Sequence, residues 1–240
     1  MAPTGNGALR AVLLDLDGTL LDTIPDLAAA SNAMRAELGL TPLPQSTLAT
    51  YVGKGAEVLV HRALTESLDG RADPEGFARG MAAFERHYEQ MNGRHACLYP
   101  GVREGLDAMR ALGLRLACVT NKPQQFTDPL LMRSGLASYF ELTLGGDALP
   151  RRKPDPLPLL HAAERLGAAP AETLMIGDSF NDAQAARAAG MPVLVVPYGY
   201  NEGRPAATID ADGIIESLPR AVDWILARGN ARARERREGD

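Results

Sequence analysis

The chain has 240 residues, of which 45% are hydrophobic and 23% are charged, and its formal net charge is −5 at pH 7. These values are ordinary for a globular protein and predict no general attraction to nucleic acid or to an anionic membrane. The N-terminal ten residues lack an apolar signal core, and no segment approaches the roughly 18 consecutive apolar residues of a membrane helix. We therefore expect a cytoplasmic protein, either a monomer or a homodimer.

Short apolar runs along the chain predict the strands of a sheet. Their interiors are nearly continuous in Val, Leu and Ile, a pattern typical of parallel strands that are covered on both faces. Helical patterns separate them, so the alternation predicts an α/β fold with a doubly wound parallel sheet and a Rossmann-like core. The predicted strands are 11–17, 115–121, 139–146, 173–178 and 192–199.

One long interval, from residue 22 to residue 97, contains helical patterns but no convincing buried strand. It predicts a helical cap domain (22–97) inserted into a catalytic core made of residues 1–21 and 98–240. The final residues, 230–240, are polar and charged, and we expect them to form a frayed helix end or a disordered tail.

Carboxylates follow two of the predicted strands. "DLDGT" places Asp15 and Asp17 two residues apart at the end of the first strand, and "GDSFND" places Asp178 at the end of another. Function gathers at the carboxyl ends of parallel strands, so these side chains are expected to meet. Because three carboxylates repel one another unless a cation lies among them, and oxygen ligands suit Mg²⁺, the pattern predicts a magnesium site.

Groups that suit a phosphoryl group follow other strands. "VTNK" supplies Thr120 and Asn121 as a hydroxyl and an amide, and Lys153 of "RKPDP" supplies an ammonium, although Lys153 in a solvated basic turn is an alternative. Metal, lysine and hydrogen-bond donors together form a clamp on a transferring phosphoryl group. A carboxylate can attack phosphorus, and a second carboxyl group can serve as general acid and base.

These four segments resemble the four motifs of the haloacid dehalogenase superfamily, in the same order and over nearly the whole chain. The resemblance implies a phosphatase with Asp15 as nucleophile, which forms an aspartyl phosphate, and Asp17 as general acid/base. It implies that Asp15, the backbone carbonyl of Asp17 and Asp178 bind Mg²⁺. The phosphoryl-binding residues that it implies are Thr120, Asn121 and Lys153. It places Asp182 outside the metal ligands, as a partner of metal-bound water or of Lys153.

Within the superfamily, "LDLDGTL", "YVGKGAEVLV" and "PYGYNEG" resemble the phosphoglycolate phosphatases most. This softer resemblance implies that the small phosphorylated metabolite is 2-phosphoglycolate, which is converted to glycolate and phosphate. Lys54, in the loop of the cap, is a candidate for binding the substrate carboxylate, and a solvated surface lysine is an equal alternative. Tyr198 and Tyr200 are either core residues or part of the lining of the active site.

Other functions share parts of this pattern. A sugar phosphomutase or sugar phosphatase of the same superfamily would use the same aspartyl phosphate. A haloacid dehalogenase needs no metal, so the full metal set and Asp17 argue against it. A phospho-receiver signalling domain also clusters aspartates, a Thr or Ser and a Lys on a parallel sheet. It lacks a large insertion after its first strand, and its phosphate-accepting Asp lies later in the chain.

Overall fold

The computed structural model describes residues 8–239, with side chains as far as Gly229. Six strands of this part of the chain form a sheet in which every neighbouring pair is parallel. Their order across the sheet is β5-β4-β1-β6-β7-β8. The strands are β1 (Ala11–Leu14), β4 (Arg115–Val119), β5 (Leu142–Leu144), β6 (Thr173–Gly177), β7 (Val193–Val195) and β8 (Gly213–Ile214).

Both faces of the sheet are buried, because side chains alternate between two hydrophobic clusters along each central strand. In β1, Val12 and Leu14 face one cluster, while Ala11 and Leu13 face the other. The first cluster also contains side chains of α5 (Val102–Ala111), α6 (Gln124–Arg133) and α9 (Leu218–Gly239). The second contains side chains of α7 (Leu157–Arg165) and α8 (Phe180–Ala189). Helices therefore cover both faces, and the predicted doubly wound α/β fold is confirmed.

Along the chain, four helices come between β1 and α5. They are α1 (Ile24–Glu37), α2 (Gln45–Ala49), α3 (Ala56–Thr65) and α4 (Pro74–Met91). They enclose a third hydrophobic cluster, to which the core contributes Phe126 and Tyr200. A short antiparallel ribbon of β2 (Leu21–Asp22) and β3 (Cys97–Leu98) lies where these inserted helices begin and end. We propose that the chain is divided into domains as predicted from the sequence, with residues 22–97 as a cap on the core.

The strands are shorter than the sequence predicts. β1 ends at Leu14, so Asp15 and Asp17 lie in the loop that follows the strand, and the predicted strands 139–146 and 192–199 shrink to three residues each. The ribbon β2–β3 and the edge strand β8 are not predicted, because segments of two residues carry no recognisable periodicity.

The backbone of α9 continues to Gly239, but the side chains of residues 230–240 lie outside the described part, so the predicted fraying of this tail stays a prediction. Among the described residues, none of the helices has both the length and the apolar composition needed to cross a membrane.

Candidate active site

The order of the central strands brings the predicted motifs together. β1 lies between β4 and β6, with Leu14 paired with Cys118 on one side and with Ile176 on the other. The loops that follow these three strands carry Asp15, Thr120 and Asp178. As the sequence predicts, one edge of the sheet therefore brings together the two "DLDGT" carboxylates, the "VTNK" segment and the "GDSFND" segment.

Lys153 binds two of the aspartates in the interior. Its Nζ donates to Asp15 Oδ1 at 2.8 Å, to Asp182 Oδ1 at 2.7 Å and to the carbonyl of Val119 at 2.6 Å. Burial alone would lower the pKa of Lys153, but the two carboxylates raise it by more, so the ammonium stays charged. Burial raises the pKa of Asp15 to about 6, although Lys153 opposes that rise. The alternative of a solvated Lys153 is therefore wrong, since its side chain is buried.

Asp15, Asp178 and Asp182 form a buried acidic cluster, with one carboxylate oxygen of each within 4.8 Å of the others. Burial raises the pKa of Asp178 well above its usual range, and the charges of Asp182 and Asp15 add to that rise. Hard carboxylate oxygens that are buried and short of positive charge are the donor set that Mg²⁺ binds. The residues of the cluster thus fit a divalent cation.

Asp182 already uses both of its carboxylate oxygens. Oδ1 accepts from Lys153, while Oδ2 accepts from the hydroxyl of Ser179 at 2.7 Å and from its backbone N–H at 3.1 Å. These bonds form a capping box at the first turn of α8. They are compatible with the predicted place of Asp182 outside the metal ligands, as the residue that orients Lys153.

Asp17 is held by groups on two sides. Its Oδ1 accepts from the hydroxyl of Thr23 at 2.8 Å, and Lys122 Nζ lies 3.1 and 3.2 Å from its two carboxylate oxygens. Lys122 also donates to the hydroxyl of Tyr88, on α4, at 2.6 Å. Burial would lower the pKa of Lys122, but Asp17 and Tyr88 raise it by more. Sequence reasoning missed Lys122, although it is the last residue of "VTNK" and follows a strand end.

Thr120 and Asn121 lie between the acidic cluster and the inserted helices. The hydroxyl of Thr120 accepts from the backbone N–H of Lys122 at 3.2 Å. The amide of Asn121 donates to the carbonyls of Lys153 at 2.9 Å and Gly53 at 3.3 Å. Its Oδ1 is buried and has no hydrogen-bond partner within the described part of the chain. Asn121 therefore links three parts of the site and leaves one acceptor for a ligand or water.

A small cavity lies between these residues and the inserted helices. The centres of water molecules can occupy about 40 Å³ of it. Since one water needs about 10–15 Å³ of such space, the cavity holds a few waters and favours a small ligand over a large one. Its polar wall includes Asp15, Asp17, Thr120, Asn121, Lys122, Lys153 and Asp182, and its apolar wall includes Leu27, Val52, Leu59, Phe84 and Phe126.

Lys54 does not line this cavity. Its ammonium forms an ion pair with Glu202 at 2.8 Å, and its side chain is 42% exposed. Glu202 also accepts from the buried Arg62 of α3 at 2.6 Å. Lys54 lines a separate cleft together with Arg152 and Arg204. The structure thus brings every other predicted site residue together but leaves Lys54 apart, and its role in substrate binding stays a prediction.

The two tyrosines of "PYGYNEG" lie beside the site. The backbone N–H of Tyr200 donates to Asp178 Oδ2 at 2.6 Å, and its hydroxyl donates to Asp22 Oδ1 at 2.7 Å. Tyr198 donates to the carbonyl of Thr19 at 3.1 Å. Tyr200 therefore ties Asp178 to the junction with the inserted helices. Of the two alternatives, the structure favours core residues, because both tyrosines pack in hydrophobic clusters and neither lines the small cavity.

Gly18 has no room for a side chain. Its φ is +88°, and a Cβ there would overlap Asp178 Oδ2 and lie 2.9 Å from Asp178 Cγ. We expect Gly18→Ala to lower the free energy of unfolding by about 2–4 kcal/mol, from backbone strain plus the clash. Gly39→Ala is a matched control, because Gly39 has φ +75° and open space around it, and should cost only about 1 kcal/mol. Equal losses in urea unfolding of the two variants would contradict the clash.

Comparison with known proteins agrees with this geometry. Residues 9–190 match the model of a family described as haloacid dehalogenase-like hydrolases. The chain is 56% identical over 215 residues to "Phosphoglycolate phosphatase" of Thiobacillus denitrificans, across 89% of this chain and 94% of that protein. It is 55% identical to the protein of the same name from Nitrosospira multiformis, across 90% and 96% of the two chains.

A solved structure has the same architecture. It is described as a predicted phosphoglycolate phosphatase from Haemophilus somnus, and it superposes with a TM-score of 0.84 at 33% sequence identity. The superposition covers 90% of this chain and 97% of the other. The predicted resemblance, both to the superfamily and to phosphoglycolate phosphatases, is confirmed.

Proposed function

This chain belongs to the haloacid dehalogenase-like hydrolase family, and we propose that it is a Mg²⁺-dependent phosphomonoesterase that converts 2-phosphoglycolate to glycolate and phosphate. The observation that carries the proposal is the placement of Asp15, which Lys153 orients at the floor of a small cavity that Asp17 also lines. The two relatives reported above are both named phosphoglycolate phosphatase. Their names support a phosphatase activity for this chain and 2-phosphoglycolate as its substrate.

In the proposed reaction, a carboxylate oxygen of Asp15 attacks phosphorus, and the bond from phosphorus to the ester oxygen breaks. Asp17 gives its proton to that oxygen, so glycolate leaves and an aspartyl phosphate remains. Asp17 then takes a proton from a water that attacks phosphorus. The bond to Asp15 breaks, phosphate leaves and both carboxyl groups return to their starting states.

The proposed Mg²⁺ ligands are Asp15, the backbone carbonyl of Asp17 and Asp178. When bound there, Mg²⁺ supplies positive charge that offsets the negative charge of the phosphoryl oxygens. Lys153 adds a second positive charge next to Asp15, and Thr120 and Asn121 offer polar groups at the end of β4. Asp182 holds the ammonium of Lys153 in place.

Two features of the cavity support a small substrate inside a site shielded from water. The space between the polar floor and the apolar wall is limited to a few waters. The carbonyl of Gly53, in the loop before α3, accepts from both Asn121 and Asn181, which closes that loop onto the core. Such closure keeps bulk water away from an acyl phosphate until the leaving group has departed.

Release of inorganic phosphate tests the proposal. We expect kcat/KM for 2-phosphoglycolate to exceed that for phosphates of neutral sugars, such as glucose 6-phosphate, by roughly tenfold or more. The carboxylate of 2-phosphoglycolate would gain at least one charged hydrogen bond in a buried site, and a neutral sugar would not. EDTA should abolish the activity, and added Mg²⁺ should restore it.

Three results would count against parts of this proposal. Full activity in EDTA would exclude the metal. A preference for sugar phosphates would exclude the substrate and retain the phosphatase chemistry. Transfer of the phosphoryl group to another position of a sugar, without release of phosphate, would make the enzyme a mutase.

A further inference from the structure

Lys122 is a buried cation that the proposed phosphoryl chemistry does not use. It lines the cavity together with Tyr88, and only 5% of its surface is exposed. Its ammonium lies against Asp17 and also 4.7 Å from the centre of the Tyr88 ring. A buried ammonium is costly unless negative or polar partners surround it. A cation kept at the wall of the cavity is therefore well placed to meet a second negative group of the substrate.

Tyr88 adds a hydrogen-bond donor at the same point. Its hydroxyl oxygen accepts from Lys122, so its own hydrogen is left to donate to another group. The ring is fixed by stacking on Phe84, with ring centres 5.4 Å apart, and by an edge contact with Phe126 at 4.9 Å. Since the ring is buried and packed on both sides, the hydroxyl is held at the cavity wall.

Asp17 sets where the substrate's acid group would lie. If Asp17 protonates the ester oxygen, that oxygen lies within hydrogen-bonding distance of the carboxyl group that Lys122 contacts at 3.1 Å. In 2-phosphoglycolate the carboxyl carbon is only two bonds from the ester oxygen. The carboxylate therefore falls beside Asp17, on the side occupied by Lys122 and Tyr88 rather than near the phosphoryl clamp.

From this geometry, and resting on the proposed function, we infer that Lys122 and Tyr88 form the carboxylate-binding site that selects a two-carbon acidic phosphate ester. Lys122 supplies the charge and Tyr88 supplies a hydroxyl donor. Because Tyr88 belongs to α4 and Lys122 follows β4, the site is complete only when the inserted helices are closed on the core. Lys54 is the alternative cation, but it is paired with Glu202 in a different cleft.

The test compares 2-phosphoglycolate with 2-hydroxyethyl phosphate, in which a neutral CH₂OH group replaces the carboxylate. We expect Tyr88→Phe to lower the ratio of the two kcat/KM values by about tenfold, the effect of one hydrogen bond to a charged group. Lys122→Met should lower the ratio by about 100-fold. Since Lys122 also contacts Asp17, it should slow both substrates, and the ratio separates carboxylate recognition from that shared loss.

Binding gives a second readout that does not depend on turnover. In an Asp15→Asn background, Tyr88→Phe should weaken the binding of 2-phosphoglycolate by about tenfold in titration calorimetry, with less effect on 2-hydroxyethyl phosphate. Tyr51→Phe is the matched control, because Tyr51 is a buried tyrosine of the same hydrophobic cluster that does not line the cavity. Tyr51→Phe should leave the ratio of the affinities for 2-phosphoglycolate and 2-hydroxyethyl phosphate unchanged. Thermal unfolding of each variant checks that it is folded.

The outcomes separate this inference from the proposed function. If the wild-type protein prefers 2-phosphoglycolate and both variants keep that preference, the Lys122–Tyr88 site is wrong and the proposed substrate stands. If the preference disappears in Lys54→Met instead, the carboxylate is bound from the other cleft. If the wild-type protein shows no preference for the acidic ester, both the substrate and the carboxylate site are overturned.

Discussion

Replacement of Asp15 by asparagine should lower kcat by roughly three orders of magnitude or more, because it removes the proposed nucleophile. Asparagine has nearly the same shape and can still accept from Lys153, whose Nζ lies 2.8 Å from Asp15 Oδ1. The fold should persist, since the substitution leaves β1 and the two hydrophobic clusters of the sheet intact. The loss of activity would then reflect chemistry rather than unfolding.

The covalent intermediate itself can be located by rapid quenching with 2-phosphoglycolate. Trypsin cleaves after Arg10 and Arg35, so residues 11–35 form one peptide that contains Asp15 and Asp17. Fragmentation of that peptide by mass spectrometry should place the phosphate on Asp15. Asp17→Asn should still acquire the phosphate, slowly, because only proton transfer is impaired. Wild-type turnover in Asp15→Asn, or phosphate on another residue, would exclude this mechanism.

The arrangement of the sheet was predictable because it depends on properties that are local in sequence. Buried parallel strands are read from apolar runs, and their carboxyl ends meet at one edge. Asp15, Thr120 and Asp178 could therefore be placed together although they are far apart in the chain. The contact of Lys153 with Asp15 was not predicted. The resemblance to the superfamily assigns Lys153 only to the phosphoryl group, and no spacing rule brings a lysine of that loop to the end of β1.

The side-chain contacts of Lys54 and Lys122 were not predictable, because each depends on how the inserted helices pack. Lys54 lies in a glycine-rich loop that suggests ligand binding. Its ammonium instead forms an ion pair with Glu202, 148 residues later in the chain, in a separate cleft. Lys122 lies in the "VTNK" segment, and only the position of α4 reveals its contact with Tyr88. Contacts between residues so distant in sequence leave no local pattern.

Asp178→Asn should be more stable than the wild-type protein without metal and less stable than the wild-type protein in excess Mg²⁺. Without metal, three buried carboxylates lie together near one ammonium, that of Lys153. Removing one negative charge should stabilise the metal-free protein by about 1–2 kcal/mol, or roughly 2–8 °C in Tm. Asparagine can still accept from the N–H of Tyr200, which lies 2.6 Å from Asp178 Oδ2. The local loop is therefore preserved.

The pH dependence identifies the cause of that gain. Burial raises the pKa of Asp178 above its usual value, so the folded protein holds a proton that the unfolded chain releases above about pH 4. The contribution of Asp178 to stability therefore falls as the pH rises from about 4. In EDTA, the Tm advantage of Asp178→Asn should be largest near neutral pH and should shrink toward pH 4. Asp69→Asn, at an exposed position, should show no such trend.

Excess Mg²⁺ should reverse the comparison. The wild-type protein gains stability in proportion to the logarithm of the free Mg²⁺ concentration, because the ion binds the folded state. Asp178→Asn removes a proposed ligand and should bind Mg²⁺ roughly 100-fold more weakly by titration calorimetry, the top of the range caused by substituting residues that only support the metal ligands. Its Tm should then fall below that of the wild-type protein at saturating Mg²⁺. If both proteins bound Mg²⁺ equally, Asp178 would not be a ligand, and the higher Tm in EDTA would reflect only the relief of carboxylate repulsion.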